Sequence, residues 1–125
     1  MMLIIAPQQD GVRFGILEKK IIWRSIVPND RVFFVLQKMK RAVWKGIVVC
    51  AHAKVSWSGQ RTAVALGNTI AFSRNIPVGM VRVRGDESDI EMQQKILSAN
   101  MADVVSPVYN GEPNITTPNI ATSRV

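Results

Sequence analysis

One short stretch concentrates the residue types that could do chemistry: Val55-Ser56-Trp57-Ser58-Gly59-Gln60-Arg61-Thr62-Ala63. Two hydroxyls, a glycine and a cation follow an apolar strand-like run, Gly46 to Ala51, and open a helix-like run. A turn of this kind, at the carboxyl end of a strand and the start of a helix, is where α/β folds place ligands or partners. Either Ser56 or Ser58 can cap the helix by accepting a backbone N–H, worth about 1 kcal/mol. His52, the sole histidine, lies just upstream beside Lys54. It could serve as a general base or an anion contact, or be a plain loop residue. No carboxylate close in sequence would orient its ring, and neither a metal-ligand spacing nor a Ser-His-Asp arrangement is present. Cys50 sits between Val49 and Ala51 with no cation or base next to it, which predicts a buried, unreactive thiol.

Composition limits the settings in which such a turn can work. A chain of 125 residues with 47% hydrophobic residues predicts one folded domain with a real core. The net charge of +7 is unevenly spread: residues 1–84 hold 14 Lys/Arg against 3 Asp/Glu, whereas residues 85–125 hold 2 against 6. A basic body with an acidic end suits an RNA or an anionic protein partner, or else pairs with itself. A single cysteine points to a reducing compartment, the cytoplasm. Met1 to Ala6 is apolar but short and lacks a basic flank, so no secretory leader is expected, and no apolar run reaches the length of a membrane span.

The elements that position the turn follow from periodicity. Met2 to Ala6 reads as a buried strand ended by Pro7, and Gln8-Gln9-Asp10-Gly11 as a hairpin turn. Arg13 to Glu18 and Lys20 to Val27 complete an antiparallel meander. Pro28-Asn29-Asp30 offers a helix start, and Val32, Leu36, Met39 and Val43 fall on one face of a helix running Asp30–Lys45. Gly46 ends it, Ile47 to Ala51 forms a strand covered on both faces, and the Ser58–Arg74 helix runs to Asn75-Ile76-Pro77. Val78 to Val83 is the fifth strand. The order β-β-β-α-β-α-β predicts a mixed five-stranded sheet with helices packed on it, an α/β fold. A further helix spans Asp86 to Asn100, with Ile90, Leu97 and Met101 on one side. The domain occupies residues 1–105, and 106–125 form a proline-rich extended arm.

Two helical stripes are candidate surfaces. Ala63, Gly67 and Ala71 recur at steps of four and would let another backbone approach, either the chain's own sheet or a partner. Arg31, Lys38, Arg41 and Lys45 recur opposite the apolar face of the first helix, a solvated cationic face or else a contact for RNA phosphates or for an acidic partner groove. No aromatic motif of the ribonucleoprotein type is visible.

The string Ser56-Trp57-Ser58-Gly59-Gln60-Arg61 resembles the Ser-Phe-Thr-Gly-x-Arg signature of the TsaB family. Those proteins are subunits of the bacterial machinery that makes threonylcarbamoyladenosine at position 37 of tRNAs. Ala63, Ala65, Ala71 and the exit Asn75-Ile76-Pro77-Val78 are similar to the family's alanine-rich helix and the strand after it. Pro107-Val108-Tyr109 and Glu112 to Thr116 resemble its terminal segment. The likeness covers residues 1–84 in element order and about ten residues near the end. It implies an actin-like (ribonuclease H-like) fold, here with the first of its two lobes only, since Gly85 to Ser106 is too short for a second.

The resemblance further implies a non-catalytic scaffold that pairs through two helices with a TsaD-type enzyme or with its own copy, with no cofactor and no metal. Ser56, Ser58, Gly59, Arg61, Ala63, Gly67 and Ala71 would be its interface. The departures bear on the chemistry. Actin-like ATPases carry an acidic residue at the end of the first strand and glycines in the first hairpin, but this chain has Ala6-Pro7-Gln8-Gln9 there. Asp10 is placed to form the hairpin, and a Gln amide cannot replace a carboxylate on a hard cation. His52-Ala53-Lys54-Val55 stands where the family is glycine-rich, and side chains there would obstruct backbone approach to a phosphate. Two other readings are a small basic RNA-binding module and, third, an actin-like ATPase.

Overall fold

The computed structural model of the chain describes residues 1–38, 43–52 and 54–106, apart from the side chains of Phe33 and Trp57. Five strands form one mixed sheet in the order β3-β2-β1-β4-β5. β1 (Met2–Gln8), β2 (Gly11–Leu17) and β3 (Ile21–Val27) are the antiparallel meander. β4 (Gly46–His52) and β5 (Val78–Val83) run parallel to β1, linked by helix α2 (Trp57–Arg74). α1 (Val32–Lys38) precedes β4, and α3 (Asp89–Leu97) follows β5.

β1 and β4 are apolar up to their polar last residues, Gln8 and His52, because both sheet faces are covered. Leu3, Ile5, Phe14, Ile47, Val49 and Val78 meet Val32 of α1 and Ala63, Val64, Ile70 and Ala71 of α2 on one side. Ile4, Ala6, Val48, Cys50 and Val83 meet Ile96 of α3 on the other. The strand alternation thus assigns every second residue to a helical layer, α1 with α2 or α3 alone.

Several elements differ from the sequence expectation. β1 continues through Pro7 to Gln8; its pairing with β4 stops at Ile5, so the missing N–H of Pro7 interrupts no parallel ladder. The hairpin turn is Gln9-Asp10, and Gly11 starts β2. A Cβ at Gly11 would collide with the carbonyl of Val27, which is why glycine stands there. Pro28 precedes a 3-10 turn, Asn29–Arg31, with no side-chain cap.

The first helix does not extend to Lys45. Residues 43–45 are non-helical, because the Lys45 amide donates to the Met1 carbonyl at 2.9 Å and Gly46 already pairs with Met2. Val43, expected on the apolar face, is 80% exposed, and Trp44 is buried instead. Met39 and Arg41 lie outside the described residues.

The last helix is shorter than Asp86–Asn100 and turns a different face inward. Ile90 and Leu97 are both exposed; Met92, Ile96 and Ala99, at steps of four and three, meet the sheet. A capping box of Ser88 and Glu91 fixes its start. Met101 lies beyond the helix, its side chain where a Cβ on Gly46 or Gly79 would be. Ala102 then pairs with Val78 through two 2.9 Å backbone bonds, and Asn68 of α2 holds Val105 through both its amide N–H and its carbonyl oxygen, each at 2.9 Å. Of the expected arm, residues 107–125 lie outside the described part. No helix of the described residues is long and apolar enough to cross a membrane.

Candidate functional site

The Ser56–Arg61 turn is built by its side chains. Ser56 is the N-cap of α2, its Oγ accepting the Gly59 amide at 3.2 Å, and Ser58 Oγ lies 3.3 Å from it. Gly59 is required because Val55 Cγ1 would stand 2.9 Å from a Cβ. Gln60, which sequence reasoning passed over as a variable position, is 3% exposed, and its Nε2 donates to the carbonyls of His52 (3.1 Å) and Val55 (3.3 Å). It ties the end of β4 to the first turn of α2. Gln60 lies four places after the capping serine, and the capping-box position three places on is held by Gly59, so no local sequence signal marks it. Arg61 is exposed at the helix flank.

The small-residue stripe is taken up by the chain itself. Ala63 and Ala71 are 0% and 1% exposed, and a Cβ on Gly67 would stand 2.6 Å from Val49 Cγ2. These three residues, expected as candidates for a partner interface, face β1, β4 and β5. Their small size lets an 18-residue helix lie close on a β-branched surface.

The outward face of α2 is made by Ser58, Thr62, Ala65, Thr69 and Phe72, spaced four, three, four and three, all exposed and none charged. Thr62 Oγ1 donates to the Ser58 carbonyl at 2.9 Å and Thr69 Oγ1 to the Ala65 carbonyl at 2.7 Å. Both hydroxyl protons are therefore tied to the helix's own backbone. Phe72 is 76% exposed, and with Val104, Thr69 and Asn68 it lines an apolar depression. On the same layer Phe34 of α1 is 65% exposed. Solvated helix faces ordinarily carry several charges; these five positions carry none, and Arg61 stands exposed at their edge.

A second feature lies at the carboxyl ends of β1, β4 and β5, the switch point of such a sheet. This cleft of about 420 Å³ is lined by Gln8, Arg13, Trp23, His52, Glu87 and Asp89 among others. His52 Nδ1 accepts the Lys54 amide at 3.0 Å, which puts the ring proton on Nε2. Arg13 lies 4.9 Å over the Trp23 ring and donates through Nε to the Arg24 carbonyl. Glu87 is gripped by Lys95 Nζ at 2.6 Å and by the amides of Arg84 and Gly85 at 2.7 and 2.9 Å. Burial pushes its pKa up, but the Lys95 bond and the backbone amides outweigh burial and hold it at about 2. Cys50, in the cleft floor, is pushed up to about 12 by burial first and by Glu87 next, so it is held as the thiol. Among the described residues no group of three or more His, Cys, Asp or Glu could hold a metal ion. The cleft brings His52 together with two carboxylates that the sequence did not associate with it, and one of those is fully engaged.

The cationic stripe is not a single helical face. Arg31 belongs to the 3-10 turn, Lys38 ends α1, Lys45 follows in a bend, and Arg41 lies outside the described residues. Arg31, Lys38 and Lys45 are all exposed. Arg74, at the end of α2, stacks 4.2 Å over Trp44. The acidic segment pairs with the basic body through Arg84–Asp86 (2.9 Å) and Arg84–Glu91 (3.0 Å).

Compared with known proteins, the chain matches no family model and no curated protein sequence.

Proposed function

We propose that this protein is a non-catalytic scaffold that docks a partner protein on the outward face of α2, and that the partner is a TsaD-type enzyme of tRNA threonylcarbamoyladenosine formation. The observation that carries the reading is the stripe Ser58-Thr62-Ala65-Thr69-Phe72, exposed and uncharged with Arg61 at its edge, and with both threonine hydroxyls turned back onto the helix. Such a face loses little on leaving water and lets a partner helix approach closely. Exposed Phe72 and Phe34 are the anchors, because buried aromatic side chains dominate interface energies.

The identity of the partner rests on the resemblance at Ser56–Arg61, and the sheet order β3-β2-β1-β4-β5 is compatible with a ribonuclease H-like lobe of the actin-like kind. The interface moves by half a helix turn from the sequence expectation: Ser58 and Arg61 remain in it, while Ala63, Gly67 and Ala71 support it from beneath. Arg31 and Lys38, exposed on the same layer, present positive charge to an RNA acted on by the partner. Reconstitution of tRNA modification with and without the chain tests the reading. Product formation that depends on the chain supports it, and formation that is the same without it removes the scaffold role. Binding of tRNA by the chain alone, weakening steeply with salt and with no protein partner, would favour the basic RNA-binding module instead.

A further inference from the structure

Between β5 and α3 the chain makes a turn whose Gly85 has φ +105°, a backbone conformation open to glycine. The turn presents two successive backbone N–H groups to one acceptor. Arg84 N donates to Glu87 Oε2 at 2.7 Å and Gly85 N to Glu87 Oε1 at 2.9 Å. Lys95 Nζ, positioned by a 3.1 Å bond to the Arg82 carbonyl, adds a 2.6 Å bond to Oε2. Both carboxylate oxygens are thus held, and the Glu87 side chain is 1% exposed although its residue lines the cleft. Consecutive amides flanking a positive-φ glycine form a concavity that binds anions, and a lysine above it supplies the countercharge.

We propose that the Arg84–Gly85 turn and Lys95 form an oxyanion-binding slot, suited to a carboxylate or a phosphate-type anion, and that Glu87 of the same chain occupies it and closes the cleft to free anions. This holds whether or not α2 docks a partner. A tethered carboxylate competes at an effective concentration of millimolar or more, so free anions at ordinary concentrations do not displace it. The slot becomes accessible once the carboxylate is removed.

Glu87→Ala tests this directly. Acetate and inorganic phosphate are titrated separately, at ionic strength held constant with sodium chloride, while the backbone amide resonances of Arg84 and Gly85 are followed by NMR. Saturable shifts at those amides are expected in the variant, with wild type at least about tenfold weaker. The anion that saturates at lower concentration identifies the preferred source. No saturable shift with either anion in the variant, or shifts in wild type as large as in the variant, overturns the proposal. Should Glu87→Ala be unfolded in chloride, recovery of a dispersed spectrum in acetate or phosphate supports the slot. No recovery in either anion overturns it.

Discussion

Gly67 lies midway along α2 on the side that meets the sheet, and its replacement by alanine is decided by one contact. An added Cβ would stand 2.6 Å from Val49 Cγ2, where ordinary contact begins at 3.4 Å. Val49 cannot step aside cheaply: it is β-branched, 1% exposed, and lies in β4 between β1 and β5. Overpacking of this kind costs about 1–3 kcal/mol. Alanine in place of glycine inside a helix returns about 1 kcal/mol. The net expectation is a loss of about 1 kcal/mol, or roughly 4 °C in Tm for a domain of this size. Urea denaturation followed by circular dichroism at several protein concentrations reads it, with Ala65→Gly as the exposed control, expected to lose about 1 kcal/mol from propensity alone. A Gly67→Ala protein more stable than wild type by about 1 kcal/mol would refute the close approach, since that is the gain expected at an open helical position.

Three further outcomes follow from the same contacts. Ser56→Ala removes the oxygen that accepts the Gly59 amide and should cost about 1 kcal/mol in the same urea assay, with Ser56→Gly costing less. Glu87 has a folded pKa of about 2 against an ordinary value of 4.5, so its contribution is present above pH 4.5 and is lost as pH falls from there towards 2. With water allowed for at Lys95, the loss is on the order of 1–2 kcal/mol, and it should be absent in Glu87→Gln when urea midpoints are compared across that acid range. Cys50, held as the thiol by a pKa of about 12, should react with a thiol reagent at pH 8 about a thousandfold slower in the folded protein than in urea. Comparable rates in both conditions would contradict the buried site.

The strands were legible where apolar runs met clear stops. β5 has the bounds expected from Val78 to Val83, and β4 differs from Ile47–Ala51 by one residue at each end. The start of α2 was legible from its serines, because capping is local chemistry. Helical faces were less so. In α3 apolar residues lie on both sides, and spacing alone singled out Ile90 and Leu97; where the helix lands against Cys50 and Val83 selects Met92 and Ile96. In α2 the small stripe left sheet and partner open, and the bulk of Val49, Ile5 and Val78 beneath Gly67 settled it for the sheet. The outward face passed unnoticed because threonine reads as polar until its hydroxyl is seen bonded to the preceding turn. Glu87 was equally hidden: in a run with Asp86, Asp89 and Glu91 it reads as solvated, and only the fold of Arg84–Gly85 buries it.

The outward face of α2 is proposed to dock a protein partner. Isothermal titration of the purified chain against the TsaD-type enzyme of the same organism, for wild type and Ala65→Arg, measures this most directly. Ala65 is exposed, so arginine there leaves the fold intact and places a charge in the middle of the face. A saturable complex is expected for wild type, and at least tenfold weaker binding for Ala65→Arg, with Tm unchanged. Absence of a wild-type complex, or a complex that Ala65→Arg leaves equally tight, would contradict it.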